Sequence, residues 1–366
     1  MRNFDPKKPY QDLPLLPPQV DFDDVDLLKL VNKANNSLYE LKGAAHLLPN
    51  GFILISPLSV REAVESSGIE NIVTTVADAL RADIIYDKNE LKGAEKEILN
   101  YRDALLEGFR LLQKDGFLNT NSIIQIQSIL EPNKKGIRNI PDVALRNSRT
   151  REVRYTPPEG PDIIRDKMKN LEDYFNNIEE FDDIDPLIRA AVIHYQFEAI
   201  HPFFDGNGRT GRMLIVLYLV KVGRLDLPIL FLSKYILENQ EDYYKLLLEV
   251  TSKNNWREWV IYLLKGIDKQ AQETKEKIIA IKDLMSVYKN MEVELGKAGV
   301  MSGAVIDYLF SNAFYTQQTM SLKLGVHRNT AAKYFSELEI LGVVKKFKYK
   351  RENIYYNETF IKILNY

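Results

Sequence analysis

The chain has 366 residues, 45% of them hydrophobic and 27% charged, with a formal net charge of −2. That length allows two or three domains of about 100–200 residues. The near-neutral balance excludes a molecule whose whole surface binds nucleic acid, so any basic patch has to be local. Cysteine is absent, which excludes a disulfide framework, a thiol nucleophile and a Cys-ligated zinc site.

Residues 1–20 read as an extended arm, because Pro6, Pro9, Pro14, Pro17 and Pro18 forbid a regular helix. The arm lacks the apolar core of a signal peptide. From Asp23 to Leu48 the chain turns helical, with Leu27, Leu30, Val31, Ala34, Leu38 and Leu41 recurring at three- and four-residue steps. Further helices are expected over Ser59–Ala82 and Glu90–Gln113. After one more helix, "RTREVRYTPPEG" (149–160) reads as a short strand or hairpin ended by Pro157 and Pro158. "IIRDKMKNLEDYFNN", "PLIRAAVIHYQFEAIHPF", "GRTGRMLIVLYLVKVG", "LENQEDYYKLLLEV" and "NWREWVIYLLKGI" are helical again. Residues 271–295 form a charged connector helix that turns Ile278, Ile281, Met285, Tyr288 and Met291 toward a partner surface. The run "MLIVLYLVKVG" is too short to span a bilayer and carries Lys221. The expectation is a cytoplasmic protein with no membrane partner. By sequence it divides into 1–115, 116–265, 266–299 and 300–366.

The chain has four histidines, His46, His194, His201 and His327, and no HExxH pair, which argues against a zinc hydrolase. One of them opens "HPFFDGNGRTGR", residues 201–212. Gly206 and Gly208 let the backbone turn tightly and bring its N–H groups to a ligand. A helix starting there points its free N–H groups and positive dipole end the same way. Arg209 and Arg212, three apart, offer planar forks for phosphate oxygens. Asp205 suits Mg²⁺, a hard cation that keeps phosphate as a co-ligand. His201 accepts a proton near neutral pH. Each piece alone is weak; in one contiguous order they make a nucleoside triphosphate site with a base beside it.

That order resembles the signature of the Fic family, His-Pro-Phe-x-Asp/Glu-Gly-Asn-Gly-Arg-x-x-Arg, and matches every specified position. The resemblance covers about residues 20–265. "YRDALLEGF" looks like a family helix, 149–158 sits where the substrate-clamping flap belongs, and "LENQEDYYKLL" looks like the adenine-side segment. It implies a mainly α fold, a Fic-type helical bundle with a β-hairpin flap. It also implies transfer of AMP from ATP to a Ser, Thr or Tyr hydroxyl of a protein target. Under it, His201 takes the hydroxyl proton and Asp205 coordinates Mg²⁺ bridging the α- and β-phosphates. Asn207 and the backbone at Gly206 and Gly208 hold phosphate oxygens, with Thr210 and Gly211 in the same ATP-binding turn. Arg209 stabilises the leaving pyrophosphate and Arg212 grips the γ-phosphate. Phe203 anchors the loop, Tyr243 lines the adenine pocket and Val153 lies on the flap. Homodimers and self-modification are further implications.

"SSGIEN", residues 66–71, looks like the family's inhibitory motif, Ser/Thr-x-x-x-Glu-Gly/Asn. On a helix Ser66 and Glu70 share a face. The resemblance implies that Glu70, followed by Asn71, pairs with Arg212 and occupies the fork meant for the γ-phosphate. The rival reading is a solvated helix-end glutamate with a capping serine.

Residues 300–366 read as a winged helix-turn-helix. "TMSLKLG" ends a helix at Gly325. The next helix faces the core with Ala331, Phe335, Leu338 and Leu341, and "VVKKFKYKRENIYY" is a two-stranded wing turning at Glu352-Asn353. Lys323, Arg328, Lys333, Lys345, Lys346, Lys348, Lys350 and Arg351 make a local basic patch. DNA binding through Arg328, Asn329, Lys333, Lys346 and Lys348 and a protein-docking role stand as equals, because this fold hosts both. The leading reading is a self-inhibited adenylyltransferase using ATP and Mg²⁺. The alternatives are a nucleotide-sensing DNA-binding regulator and a Fic enzyme of another activity, AMP removal or phosphotransfer.

Overall fold

The computed structural model describes residues 4–48, 50–51, 55–85, 91–141, 143–146, 150–181, 183–295 and 299–365. Two compact units are present: residues 1–39 with 103–271, and residues 40–102 with 272–366.

At the centre of the first unit, α7 (Pro186–Ile200) packs along α8 (Asn207–Lys221), with α6 (Pro161–Asn176) against α7 and α5 (Thr120–Leu130) against α8. The sequences of α7 and, from Met213 on, α8 are largely apolar on every side, and nearly every residue of both helices is buried. The Asp185 side chain caps α7 through the Leu187 N–H, with Pro186 in the first turn. Asn119 and Ser122 form a reciprocal capping box on α5. The hairpin pairs β1 (Leu145–Arg146) with β2 (Val153–Tyr155), with a register shift at Leu145/Arg146. Residue 149, where the expected hairpin begins, lies outside the described residues. The arm lies on this unit: the Tyr10 N–H donates to the Thr156 carbonyl at 3.0 Å, and Lys167 Nζ to that of Leu13 at 2.8 Å.

In the second unit the expected single helix over 59–82 is two, α2 (Ile55–Ile69) and α3 (Val76–Ile85). The break is a Schellman turn. The Asn71 N–H reaches Gly68 O and the Ile72 N–H reaches Ser67 O, both at 3.0 Å, while Asn71 takes φ 64°. The start expected at Glu90 lies outside the described residues, and α4 runs Gly93–Asp115. The segment "LENQEDYYKLLLEV" also divides, into α9 (Ser233–Glu238) and α10 (Gln240–Lys253), at Asn239. The connector is continuous with the helix before it: α11 spans Trp256–Leu295. Ile278, Ile281, Met285 and Tyr288 are buried, and Tyr288 meets the Phe310 ring and Asn357 of its own unit.

The C-terminal elements run α12 (Gly303–Ser311), β3 (Phe314–Tyr315), α13 (Gln317–Leu324), α14 (Arg328–Ile340), β4 (Lys345–Tyr349), β5 (Glu352–Tyr356) and α15 (Glu358–Asn365), with sheet order β3-β5-β4. Gly325 caps α13 in the left-handed region. Two details differ from expectation. Leu341 is the half-exposed cap of α14 rather than a core residue, and Ala331, Phe335 and Leu338 form the buried face. The hairpin turns at Lys350-Arg351, because Tyr349 pairs with Glu352 and Lys350 takes φ 51°. No helix among the described residues is long and apolar enough to cross a membrane.

Candidate functional site

Residues 201–206 form the loop between the buried helices α7 and α8. His201 ends α7 in the left-handed region, φ 49° and ψ 58°, its N–H donating to Phe197 O. Its Nδ1 is buried without a hydrogen-bond partner. Burial and the Arg138 cation pull the imidazole down to about 4, against opposing pulls from the Glu198 backbone and Asp205. It is therefore a neutral base at pH 7, with a pKa well below the near-neutral value expected from the sequence.

Gly206 begins α8 at φ 81°, where a Cβ would lie 3.1 Å from both Glu131 Cγ and Leu130 Cδ2. No side chain caps the N-terminus of α8. Its first-turn N–H groups are therefore not capped by a side chain, the arrangement that suits an anion. Asp205 stands beside it, its Oδ1 accepting from the Gly206 N–H at 2.7 Å and its Oδ2 from Lys134 Nζ at 2.5 Å. Burial works to raise the Asp205 carboxyl, but Lys134, the Gly206 N–H and Arg209 outweigh it and hold the group below the usual carboxylate range.

Arg209 is 3% exposed and reaches Glu131 Oε1 at 2.6 Å and Asp205 Oδ1 at 3.6 Å. Arg212 lies one turn further along α8 and is also buried. His201, Asp205, Gly206, Gly208 and Arg209 are thus gathered in and beside one loop. Asp205 keeps 38% of its side-chain surface exposed. No group of three His, Asp or Glu among the described residues could hold a metal alone. One half-exposed carboxylate beside an anion site fits a Mg²⁺ that shares phosphate oxygens and keeps water.

Several expected ligand residues have other work. Both polar groups of the Asn207 amide are committed to Phe203, Oδ1 to its N–H at 2.9 Å and Nδ2 to its carbonyl at 2.8 Å. The Asn207 side chain thereby shapes the loop. Thr210 is fully buried. Gly211 is a packing residue: a Cβ there would lie 2.3 Å from Glu198 Oε1 and 3.1 Å from Phe197 Cδ1. Tyr243 is 2% exposed, hydrogen-bonded to His194 Nε2 at 2.9 Å and packed against Trp259 and Tyr262. Tyr243 is thus a residue of the helical core. His194 is fully buried, and burial and Arg212 pull it down to about 3, so it serves packing and hydrogen bonding.

Val153 sits on β2 and lines a groove of about 380 Å³ with Phe4, Pro6, Glu152, Arg154, Leu248 and Ser252. In the second unit, Ser66 is buried within α2, Glu70 is its exposed C-cap and Asn71 the left-handed residue after it. Glu70 therefore sits past the helix end rather than on its face. Arg328, Asn329, Lys333, Lys346 and Lys348 are all exposed, with Lys346 held by Glu339 at 2.7 Å and Arg328 3.9 Å from Glu352.

Sequence reasoning missed the segment 127–138 entirely. Besides Glu131 and Lys134, Gln127 donates to the Lys134 and Asp205 carbonyls at 2.8 and 3.1 Å. Arg138 donates to the His201 carbonyl at 2.8 Å, and Ile137 bridges to Phe203. Its one available signal was the cluster of polar residues after α5, which turns at Glu131–Lys134.

Three family models match the chain. The Fic/DOC family N-terminal model covers residues 28–110 and the Fic/DOC family model residues 117–219. The C-terminal domain of the SoFic-like protein adenylyltransferase covers residues 286–360. The protein adenylyltransferase fic-1 of Caenorhabditis elegans is 34% identical over 41% of this chain and 28% of its own. The protein adenylyltransferase Fic of Drosophila willistoni is 28% identical over 54% of this chain and 36% of its own. The chain thus spans well under half the length of the curated relatives it matches. Among solved structures, a Fic family protein from Desulfovibrio desulfuricans G20 aligns with TM-score 0.57 and 20% identity over 93% of this chain and 98% of that one. Fic-1 (aa134–508) from C. elegans aligns with TM-score 0.53 and 22% identity over 71% and 75%. At those identities the likeness speaks for the fold. With its N-terminal, central and C-terminal segments each matched, the chain carries a Fic domain followed by a SoFic-like C-terminal domain.

Proposed function

We propose that the chain is a protein adenylyltransferase that moves AMP from ATP to a Ser, Thr or Tyr hydroxyl of a protein. The observation that carries this reading is the uncapped N-terminus of α8, opening beside a carboxylate, two arginines and a neutral histidine. A triphosphate sits on the first-turn N–H groups. His201 takes the proton of the target hydroxyl, whose oxygen bonds to the α-phosphorus as the bond to pyrophosphate breaks. Arg209 turns from Glu131 to the departing charge, and Arg212 takes the γ-phosphate. Asp205 would hold Mg²⁺, which neutralises phosphate charge when bound.

The brake is part of the proposal. On the Ser66–Asn71 motif, Glu70 competes for Arg212 and misplaces the γ-phosphate. A cytoplasmic setting, where ATP and Mg²⁺ are supplied, goes with this function, and a second copy of the chain is a candidate target and dimer partner. In this division by role, 1–115 carries the brake, 116–265 the chemistry, 266–299 the connector and 300–366 a winged helix. The exposed Arg328 and Asn329 in the first turn of α14 favour one second reading, that this segment also binds DNA; a salt-dependent, sequence-selective mobility shift tests it.

The main test incubates the protein with α-labelled ATP and Mg²⁺, with His201→Ala alongside. Label on protein that His201→Ala abolishes is the expected result. Label that persists in His201→Ala contradicts the assignment.

A further inference from the structure

A helix end leaves its last carbonyls without helical partners. At the end of α7 these groups, and those just beyond, are taken by side chain and backbone from distant segments. Tyr155 Oη donates to Ala199 O at 2.7 Å, and Arg138 Nη2 to Ile200 O at 3.5 Å. Arg138 Nε donates to His201 O at 2.8 Å, and its backbone N–H to Pro202 O at 2.9 Å. The same Nη2 donates to Pro158 O, at the base of the β2 strand, in a short contact.

Arg138 is 3% exposed, and among the described residues its hydrogen-bond partners are all carbonyls. Burying a guanidinium is costly, and the Glu159 charge offsets part of that cost. The α7 dipole, negative at this end, offsets a further part. One side chain thereby grips the backbone at the catalytic histidine and the root of the hairpin that carries Val153. A second, neutral tie runs alongside it from Tyr155.

We propose that Arg138 is a positioning residue that fixes the β1–β2 hairpin at a set distance from His201, so that a hydroxyl aligned along the hairpin meets the base. This rests on the adenylyl-transfer reading for its catalytic consequence, but not for its structural one. A fixed joint matters because a base displaced by about 1 Å from its proton can lose about 100-fold in rate.

The test uses the full chain with Arg138→Lys and Arg138→Met. Amide exchange over residues 153–156 is measured first and needs no activity. Both variants are expected to exchange about tenfold faster there, the loss of a charge-assisted bond, while helices remote from the joint exchange as before. In transfer assays kcat should fall about 10- to 100-fold with KM for ATP changed less than about threefold. The His201 imidazole, titrated by NMR, separates charge from fork. Its pKa should rise in Arg138→Met and stay low in Arg138→Lys. Asp205, the other charged group acting on His201, is intact in both. Arg138→Lys keeps a cation at the site and decides the matter if Arg138→Met does not fold. Folded variants whose hairpin exchange is unchanged overturn the proposal. Absent transfer in the wild type together with fast hairpin exchange in the variants would sink the enzymatic reading and leave the joint standing.

Discussion

Asn207→Ala is the sharpest test of how the loop is built. The substitution removes a donor and an acceptor that serve the Phe203 carbonyl and N–H at 2.8 and 2.9 Å. Phe203 is fully buried and Asn207 is 3% exposed, so water does not replace the amide freely. Each stranded buried backbone group costs about 1–3 kcal/mol. The pair therefore costs about 2–6 kcal/mol, and a water entering the vacated polar space moves the value toward the lower end. A chain of two units does not promise two-state unfolding, so the local readout is hydrogen exchange at the Phe203 amide. Exchange at least about 30-fold faster, equal to about 2 kcal/mol, is expected. Asn207→Asp keeps the acceptor for the N–H but sets a carboxylate against the Phe203 carbonyl, so it should not rescue. A Phe203 amide as protected in Asn207→Ala as in the wild type would refute the argument that this side chain closes the loop.

Acid should destabilise the fold through its buried histidines. His201 and His194 are held at about 4 and about 3, mainly by burial. Because the folded values lie below the unfolded one of about 6.5, the unfolded chain binds more protons between them. Stability is then full above about pH 6.5 and falls as pH drops toward 4. Melting temperature against pH reads this, and His201→Asn, which tolerates the left-handed cap, should flatten part of the slope. Lys134→Met removes a half-exposed pair, Lys134 being 44% and Asp205 38% exposed. Amide exchange in α8 should therefore shift by less than about 1 kcal/mol, while the Mg²⁺ concentration needed for half-maximal transfer falls. Glu131→Ala removes the 2.6 Å partner of the buried Arg209 and leaves Asp205 Oδ1 at 3.6 Å, so it should cost about 1–3 kcal/mol, read by amide exchange in α8.

The parts legible in the sequence were those set by short-range pattern. α7 and α8 showed as apolar runs, the hairpin as alternation ended by prolines, and the C-terminal helices by Gly325 and the spacing of Ala331, Phe335 and Leu338. The misread parts turn on contacts that spacing does not encode. Arg138 and His201 are 63 residues apart, and Lys134 and Asp205 are 71 apart, so no local period joins them. Asn207 and Tyr243 are buried polar groups that must be satisfied somewhere, and their partners, the Phe203 backbone and His194, are set by the tertiary fold. The break after Ile69 was hidden because Asn71 serves where glycine is the usual signal. The β4–β5 turn went to Lys350-Arg351 although Asn353 is the better turn former, because the full pairing of β4 with β5 sets the register.

The central claim is that His201 drives transfer of the α-phosphoryl group while Glu70 restrains it. The direct measurement exposes Glu70→Gly protein to matched α-labelled and γ-labelled ATP with Mg²⁺, beside the unaltered chain and a Glu70→Gly, His201→Ala double variant. The account predicts protein label from the α-position only, stronger in Glu70→Gly than in the unaltered chain and absent from the double variant. Label from the γ-position would mean phosphotransfer, and equal α-label with and without Glu70 would remove the brake.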